Sequence, residues 1–212
     1  MKIGILGTGS VGRTLAARLA ELGHDVVIGT RDVAATEAKT EQPFPAPLRT
    51  APEAAAHAEL VINATGGQVS VAALQGAGAE NLAGKVLIDI SNPLDFSQGF
   101  PPRLAVCNDD SIGEQIQRAF PDALVVKTLN TVTADVMAHP AKVGDGDHTV
   151  FVSGNDPDAK GTVSQLLREF GWRDIVDVGD ITTARGVEMM LPLWVRLMGA
   201  IGTQQFNYKL VR

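Results

Sequence analysis

Residues 7–12 read Gly7-Thr8-Gly9-Ser10-Val11-Gly12, and no other stretch restricts the fold of this chain as tightly. The glycines match G-x-G-x-x-G, a pattern that carries weight only between a strand and a helix. That setting is present: residues 3–6 form an apolar run, and Val11, Leu15, Leu19 and Leu22 then recur at helical spacing until Gly23. A second apolar run at residues 25–28 completes strand, turn, helix and strand, a right-handed unit with parallel strands. In such a unit the first glycine permits the tight turn, the second lets the backbone approach a pyrophosphate, and the third lets the helix pack on the strand. The N–H groups at the helix start face the phosphates.

The same rhythm continues at residues 60–63, 85–89 and 124–127, each a continuous apolar run of the kind found in strands covered on both faces. Five parallel strands result. Residues 149–152 predict a further strand, followed by Asp156 as N-cap, Pro157 at the first helical position, and a helix with Val163, Leu166, Leu167 and Phe170 on one face, closed by Gly171. Residues 172–178 read as another strand, and Asp180 as the cap of a long terminal helix kinked at Pro192. Residues 42–52, with four prolines, and residues 91–110 read as loops. The predicted architecture is α/β, a doubly wound (Rossmann) parallel sheet with a short helical C-terminal extension. Residues 1–148 form the dinucleotide-binding domain and residues 149–212 the extension.

With 212 residues, 45% of them hydrophobic, the chain can bury a sizeable core. Its net charge of −6 supplies no positive field for nucleic acid or an anionic membrane. The single cysteine, Cys107, cannot form an internal disulfide, so a reducing cytoplasm is the expected compartment. No signal-peptide pattern precedes the first strand, which predicts a fold starting at residue 1. The most apolar late stretch, residues 189–201, contains Pro192 and Arg196 and falls short of the roughly 20 residues that span a bilayer. It reads as a buried helix or an oligomer interface.

A site for NAD would place an acid at the end of the second strand, roughly 20 residues beyond the glycines. Here that place reads Gly29-Thr30-Arg31-Asp32. Thr30 offers a hydroxyl and Arg31 can grip a 2′-phosphate bidentately, which suits NADP. Asp32 is either a ribose ligand or, since it leads into the next helix, an N-cap. In doubly wound sheets the ligand crevice lies beyond the carboxyl ends of the strands. Four segments stand there: Asn63-Ala64-Thr65-Gly66-Gly67, Ser91-Asn92-Pro93-Leu94, Lys127-Thr128-Leu129-Asn130, and Thr131-Val132-Thr133-Ala134. Each single Asn or Thr among them serves as well for a turn or cap as for a ligand.

Dehydrogenases of alcohols and hydroxy acids need a proton donor beside the hydride acceptor. None of His24, His57, His139 and His148 falls in these segments. Lys127 closes the fifth strand and is the one general-acid candidate, but it can equally pair with a phosphate or a carboxylate. Such a crevice favours hydride exchange between two bound redox molecules, with the protein positioning their reactive carbons. No catalytic side chain and no metal set is assigned, and Asp145-Gly146-Asp147-His148 reads as a solvated turn.

With these residues in place, the chain resembles the NADPH-dependent reductases of the deazaflavin coenzyme F420 and, more distantly, the oxidoreductase domain of the six-transmembrane epithelial ferric reductases. The resemblance rests on Gly7 to Gly12, on Gly29-Thr30-Arg31, on the run from Val125 to Thr131, on Val152-Ser153-Gly154-Asn155-Asp156, and on Leu191-Pro192-Leu193-Trp194. It implies a homodimer that takes NADP at the glycine loop and at Thr30 and Arg31, with the nicotinamide near Ala134. Coenzyme F420 is the implied co-substrate, stacked on the nicotinamide beside Asn130, Thr131 and Val132; Ala64, Thr65, Gly66, Asn92 and Pro93 complete the cofactor-binding set. Archaeal members carry His and Pro where this chain has Asn130 and Thr133, and Asn130-Thr131 is similar to the ferric reductase domains. A soluble NADPH-dependent flavin or ferric reductase is therefore an alternative, as is a non-catalytic NADP-binding sensor.

Overall fold

Short Leu-, Ile- and Val-rich runs with no polar alternation suit strands buried on both faces, and the chain uses them as the middle of one sheet. The computed structural model describes residues 1–39 and 42–212. Its elements run in order β1 (Lys2–Leu6), α1 (Ser10–Glu21), β2 (Asp25–Thr30), α2 (Val33–Glu37), β3 (Leu48–Thr50), α3 (Ala51–His57), β4 (Leu60–Asn63), α4 (Gly67–Ala77) and β5 (Val86–Asp89). The short pair β6 (Leu94–Asp95) and β7 (Arg103–Leu104) follows, then α5 (Ile112–Ala119), β8 (Leu124–Thr128), α6 (Ala134–Ala138), β9 (Thr149–Gly154), α7 (Pro157–Phe170), β10 (Asp174–Gly179), α8 (Ala184–Met189) and α9 (Leu191–Ile201).

Eight strands form one sheet in the order β10-β9-β8-β5-β4-β1-β2-β3. All neighbours pair in parallel except β8 and β9, which are antiparallel, so the sheet is mostly rather than wholly parallel. The register sets Ile5 beside Ile28 on one side and Ile62 on the other. One face is covered by α1, α6 and α7 through Leu15, Leu19, Val136, Val163 and Phe170. The other is covered by α3, α4 and α5 through Ala54, Leu74, Ile112 and Ile116. The fold is the doubly wound α/β class that the glycine-bearing unit predicts, with helices α8 and α9 following the last strand.

Three local readings of the sequence are corrected. Residues 42–52 are not a simple loop, because Leu48–Thr50 adds an edge strand to β2 and α3 begins at Ala51. Its prolines fall where they cost no hydrogen bond: Pro47 offers only its carbonyl, to Ile28 N, and Pro52 sits in the first turn of α3. Residues 91–110 include the hairpin of β6 and β7, with Leu94 opposite Leu104. The terminal helix is not one kinked rod but a 3-10 turn capped by Asp180, then α8, then α9 with Pro192 in its first turn. Lacking an N–H, proline restarts the helix there instead of bending it. The start of the helix after β9 is as read, since Asp156 accepts from Ala159 N and Gly171 closes α7 in the left-handed region.

Candidate functional site

The carboxyl ends of β2, β1, β4, β5 and β8 lie side by side, so the segments that follow them share one edge of the sheet. Gly7 turns out of β1 at φ +130, and a Cβ there would lie 2.5 Å from the Ala64 carbonyl oxygen. A Cβ on Gly12 would collide with the Gly7 carbonyl. Both glycines are thus demanded by packing, whereas nothing lies within 4 Å of the Cβ position of Gly9. That open backbone lies ahead of the first N–H groups of α1, the kind of place that favours an anion. Thr8, Ser10 and Val11 complete the loop, with Ser10 exposed.

Thr30 ends β2 next to this loop, its hydroxyl 2.7 Å from that of Thr36. Arg31 is exposed and, among the described residues, has no side-chain partner. Asp32 is the cap of α2, accepting from Ala35 N at 2.9 Å. On the other side, Ala64 abuts Gly7, Thr65 donates to Asn63 Oδ1 at 2.6 Å, and Gly66 caps α4. Gly67 leaves room for the Asn92 carbonyl, which brings the ends of β4 and β5 together.

Asn92 and Asn130 are tied to each other. Asn92 Nδ2 donates to the Asn130 carbonyl at 2.8 Å, and Asn130 Nδ2 donates to Asn92 Oδ1 and to the Val187 carbonyl, both at 3.1 Å. Pro93, Thr131 and Val132, next to them in the sequence, are buried, and Ala134 opens α6, which packs against α1. The sequence-named segments therefore form a continuous row from Arg31 to Ala134.

Lys127 pairs with carboxylates, one of the outcomes its position allows. Its side chain is 0% exposed; its ammonium donates to Asp89 Oδ2 at 2.7 Å and to the Ser91 carbonyl at 2.6 Å and forms an ion pair with Glu188 Oε1 at 2.9 Å. Burial alone would push the ammonium pKa down, but the two carboxylates outweigh it and hold the group above the ordinary lysine range. An ammonium so engaged donates to carboxylates and to no ligand. The histidines lie elsewhere: His24 meets Glu169, His57 meets Asp25, and His148 is buried against the Pro140 carbonyl and the Trp172 ring.

Sequence reasoning does not single out Asp89, Val187 or Glu188. Asp89 carries the weak signal of an acid closing an apolar strand, and Glu188 that of an acid just before an apolar run. Asp89 Oδ1 also accepts from Asn63 Nδ2 and Ser91 N, while Glu188 accepts from Ile112 N and Gly113 N at the start of α5. A fully partnered ionic floor thus underlies the crevice.

Fold and glycine loop define the class, a dinucleotide-binding α/β protein. The family model described as NADP oxidoreductase coenzyme F420-dependent matches residues 2–93. The F420-dependent NADP reductase of Methanothermobacter marburgensis is 31% identical over 209 residues, covering 93% of this chain and 92% of that protein. A solved structure described as a putative F420-dependent NADP reductase from Arthrobacter sp. FB24 is 58% identical, covers 100% of both chains and superposes with a TM-score of 0.97. The metalloreductase STEAP3 of Rattus norvegicus is 33% identical over 91% of this chain, which spans only 38% of that protein's length. The chain belongs to the F420-dependent NADP reductase family and is an NADP-dependent oxidoreductase. Among the described residues, no helix is long and apolar enough to cross a membrane.

Proposed function

We propose that the protein transfers a hydride between NADP(H) and the deazaflavin coenzyme F420, acting in the cytoplasm as a homodimer. The observation that carries this reading is the chemistry of the crevice edge. It offers amides, hydroxyls and backbone groups, while the one lysine there is consumed by Asp89 and Glu188. Transfer between two redox molecules asks the protein for alignment and exclusion of water, not for a side-chain acid. The hydride leaves C4 of the nicotinamide and bonds to C5 of the deazaflavin, and the balancing proton comes from solvent.

In this reading Gly7 to Gly12 hold the pyrophosphate, and Thr30 and Arg31 hold the 2′-phosphate. Ala64, Thr65 and Gly66 border the dinucleotide. Asn92, Pro93, Asn130, Thr131 and Val132 border the acceptor, and Ala134 stands by the nicotinamide. Residues 1–148 serve NADP, and residues 149–212 complete the acceptor side and the dimer contact. The 33% identity to the rat metalloreductase supports a second reading, in which a flavin or a ferric complex is the acceptor.

Purified protein mixed anaerobically with NADPH and, in parallel, F420, FMN, FAD and ferric chelates separates the two. Fastest turnover is expected with F420. Turnover with flavin or ferric chelate alone moves the protein to the second reading, and turnover with none rejects both.

A further inference from the structure

The buried ion pairs and the paired asparagines belong to one closed ring. Lys127 Nζ donates to the Ser91 carbonyl, and the next residue, Asn92, exchanges hydrogen bonds with Asn130. Asn130 donates to the Val187 carbonyl, and the residue after Val187 is Glu188, which returns to Lys127. Glu188 is itself fixed by two N–H groups at the start of α5. To bring Asn130 into the ring, Leu129 adopts φ +59, a left-handed conformation that a leucine rarely takes. Such a conformation persists only where its surroundings over-determine it.

Both amide hydrogens of Asn130 are spent inside the ring, so its side chain can offer a ligand only the carbonyl oxygen. We propose that Lys127 and Glu188 are positioning residues for the hydride acceptor: through Ser91, Asn92 and Val187 they hold Asn130 with that oxygen as its one free group, and helix α8 thereby sets acceptor affinity. The inference rests on the reading that the acceptor lies beside Asn130 to Val132. It assigns a role to a segment, residues 184–189, that lies outside the glycine loop in the sequence.

Glu188→Gln keeps the shape of the side chain and removes the charge facing Lys127. Oxidised F420 and oxidised FMN, titrated by fluorescence without NADPH, should bind at least about ten-fold more weakly, the scale of one lost charge-assisted hydrogen bond. NADP+ affinity should stay within about two-fold, and the loss in turnover should fall on the acceptor KM rather than on kcat. Adding Asn130→Ala to Glu188→Gln should cost nothing further, because both act through one path. Amide hydrogen exchange should quicken at residues 129–132 and not in β1. Equal weakening of both ligands with a lower Tm would reduce Glu188 to a structural role and overturn the proposal, as would unchanged acceptor binding. Should Glu188→Gln fail to fold, Glu188→Asp, charged but shorter, carries the same comparison. If neither oxidised probe binds the unaltered protein, the functional reading fails, and exchange at residues 129–132 decides whether the ring exists.

Discussion

Arg31 and Lys127 are two cations near one crevice with opposite fates, and burial explains the difference. Lys127 lies under the strand ends, where an unpaired charge would be too costly, so it has drawn two carboxylates and a carbonyl. Arg31 remains in water without a partner among the described residues, free to pair with an incoming anion. Arg31→Ala should therefore weaken NADPH by roughly ten- to hundred-fold and leave NADH nearly unchanged, since a charge-assisted contact is worth about 1.5–3 kcal/mol. Parallel titrations check this, and equal loss for both nucleotides would remove Arg31 from the phosphate site. The glycine spacing made Gly7 and Gly12 legible in the sequence because their requirement is local stereochemistry and contact with neighbouring backbone. The role of Lys127 was not legible, since a lysine at a strand end reads the same whether it faces a ligand or two distant acids.

At the scale of elements, legibility followed how locally each start and stop is encoded. Helix α7 has its cap, its proline and its terminal glycine in its own sequence, and it forms where they say. Strand β3 is three residues long among prolines, and only the free edge of β2 makes it a strand. Helix α5 shows how elements are joined electrostatically: Arg118 in its last turn grips Asp110, just before its start, with contacts of 2.9 and 2.8 Å, and Glu114 takes Arg185 of α8. The Arg118 guanidinium, with help from Gln115, holds the Asp110 carboxyl down to about 2. A carboxyl whose folded pKa lies below its unfolded value stabilises the fold above the unfolded pKa and loses that contribution as pH falls through the folded one. For Asp110 the window runs from about pH 4 to about pH 2. Asp110→Asn should cost about 1 kcal/mol or less at pH 7, because Arg118 is largely exposed. Denaturant titrations should show that difference closing near pH 2; a difference independent of pH would mean the loss is packing.

For the whole molecule, the open question at the surface is α9. Leu191 and Val195 are buried within the chain and Trp194 stacks on Phe206 at 5.2 Å, so part of this run packs inside its own subunit. Leu193 is 55% exposed and Met189 and Ile201 are exposed with it. At about 25 cal/mol per Å2, an apolar patch of this kind gains by self-burial, and a two-fold axis lets one patch cover itself. Light scattering at micromolar concentration should find dimers, and Leu193→Glu should give monomers with the fold intact. A monomeric unaltered protein would refute this. By itself the sequence determined the glycine turn, the buried parallel strands and the α7 helix, since each depends on residues a few positions apart. Only the tertiary structure decided the state of Lys127, the pairing of Asn92 with Asn130 and the descent of Glu188 onto α5. Those contacts join residues 38 to 76 positions apart. No periodicity records them, because which buried charges meet is settled only when separate elements have packed.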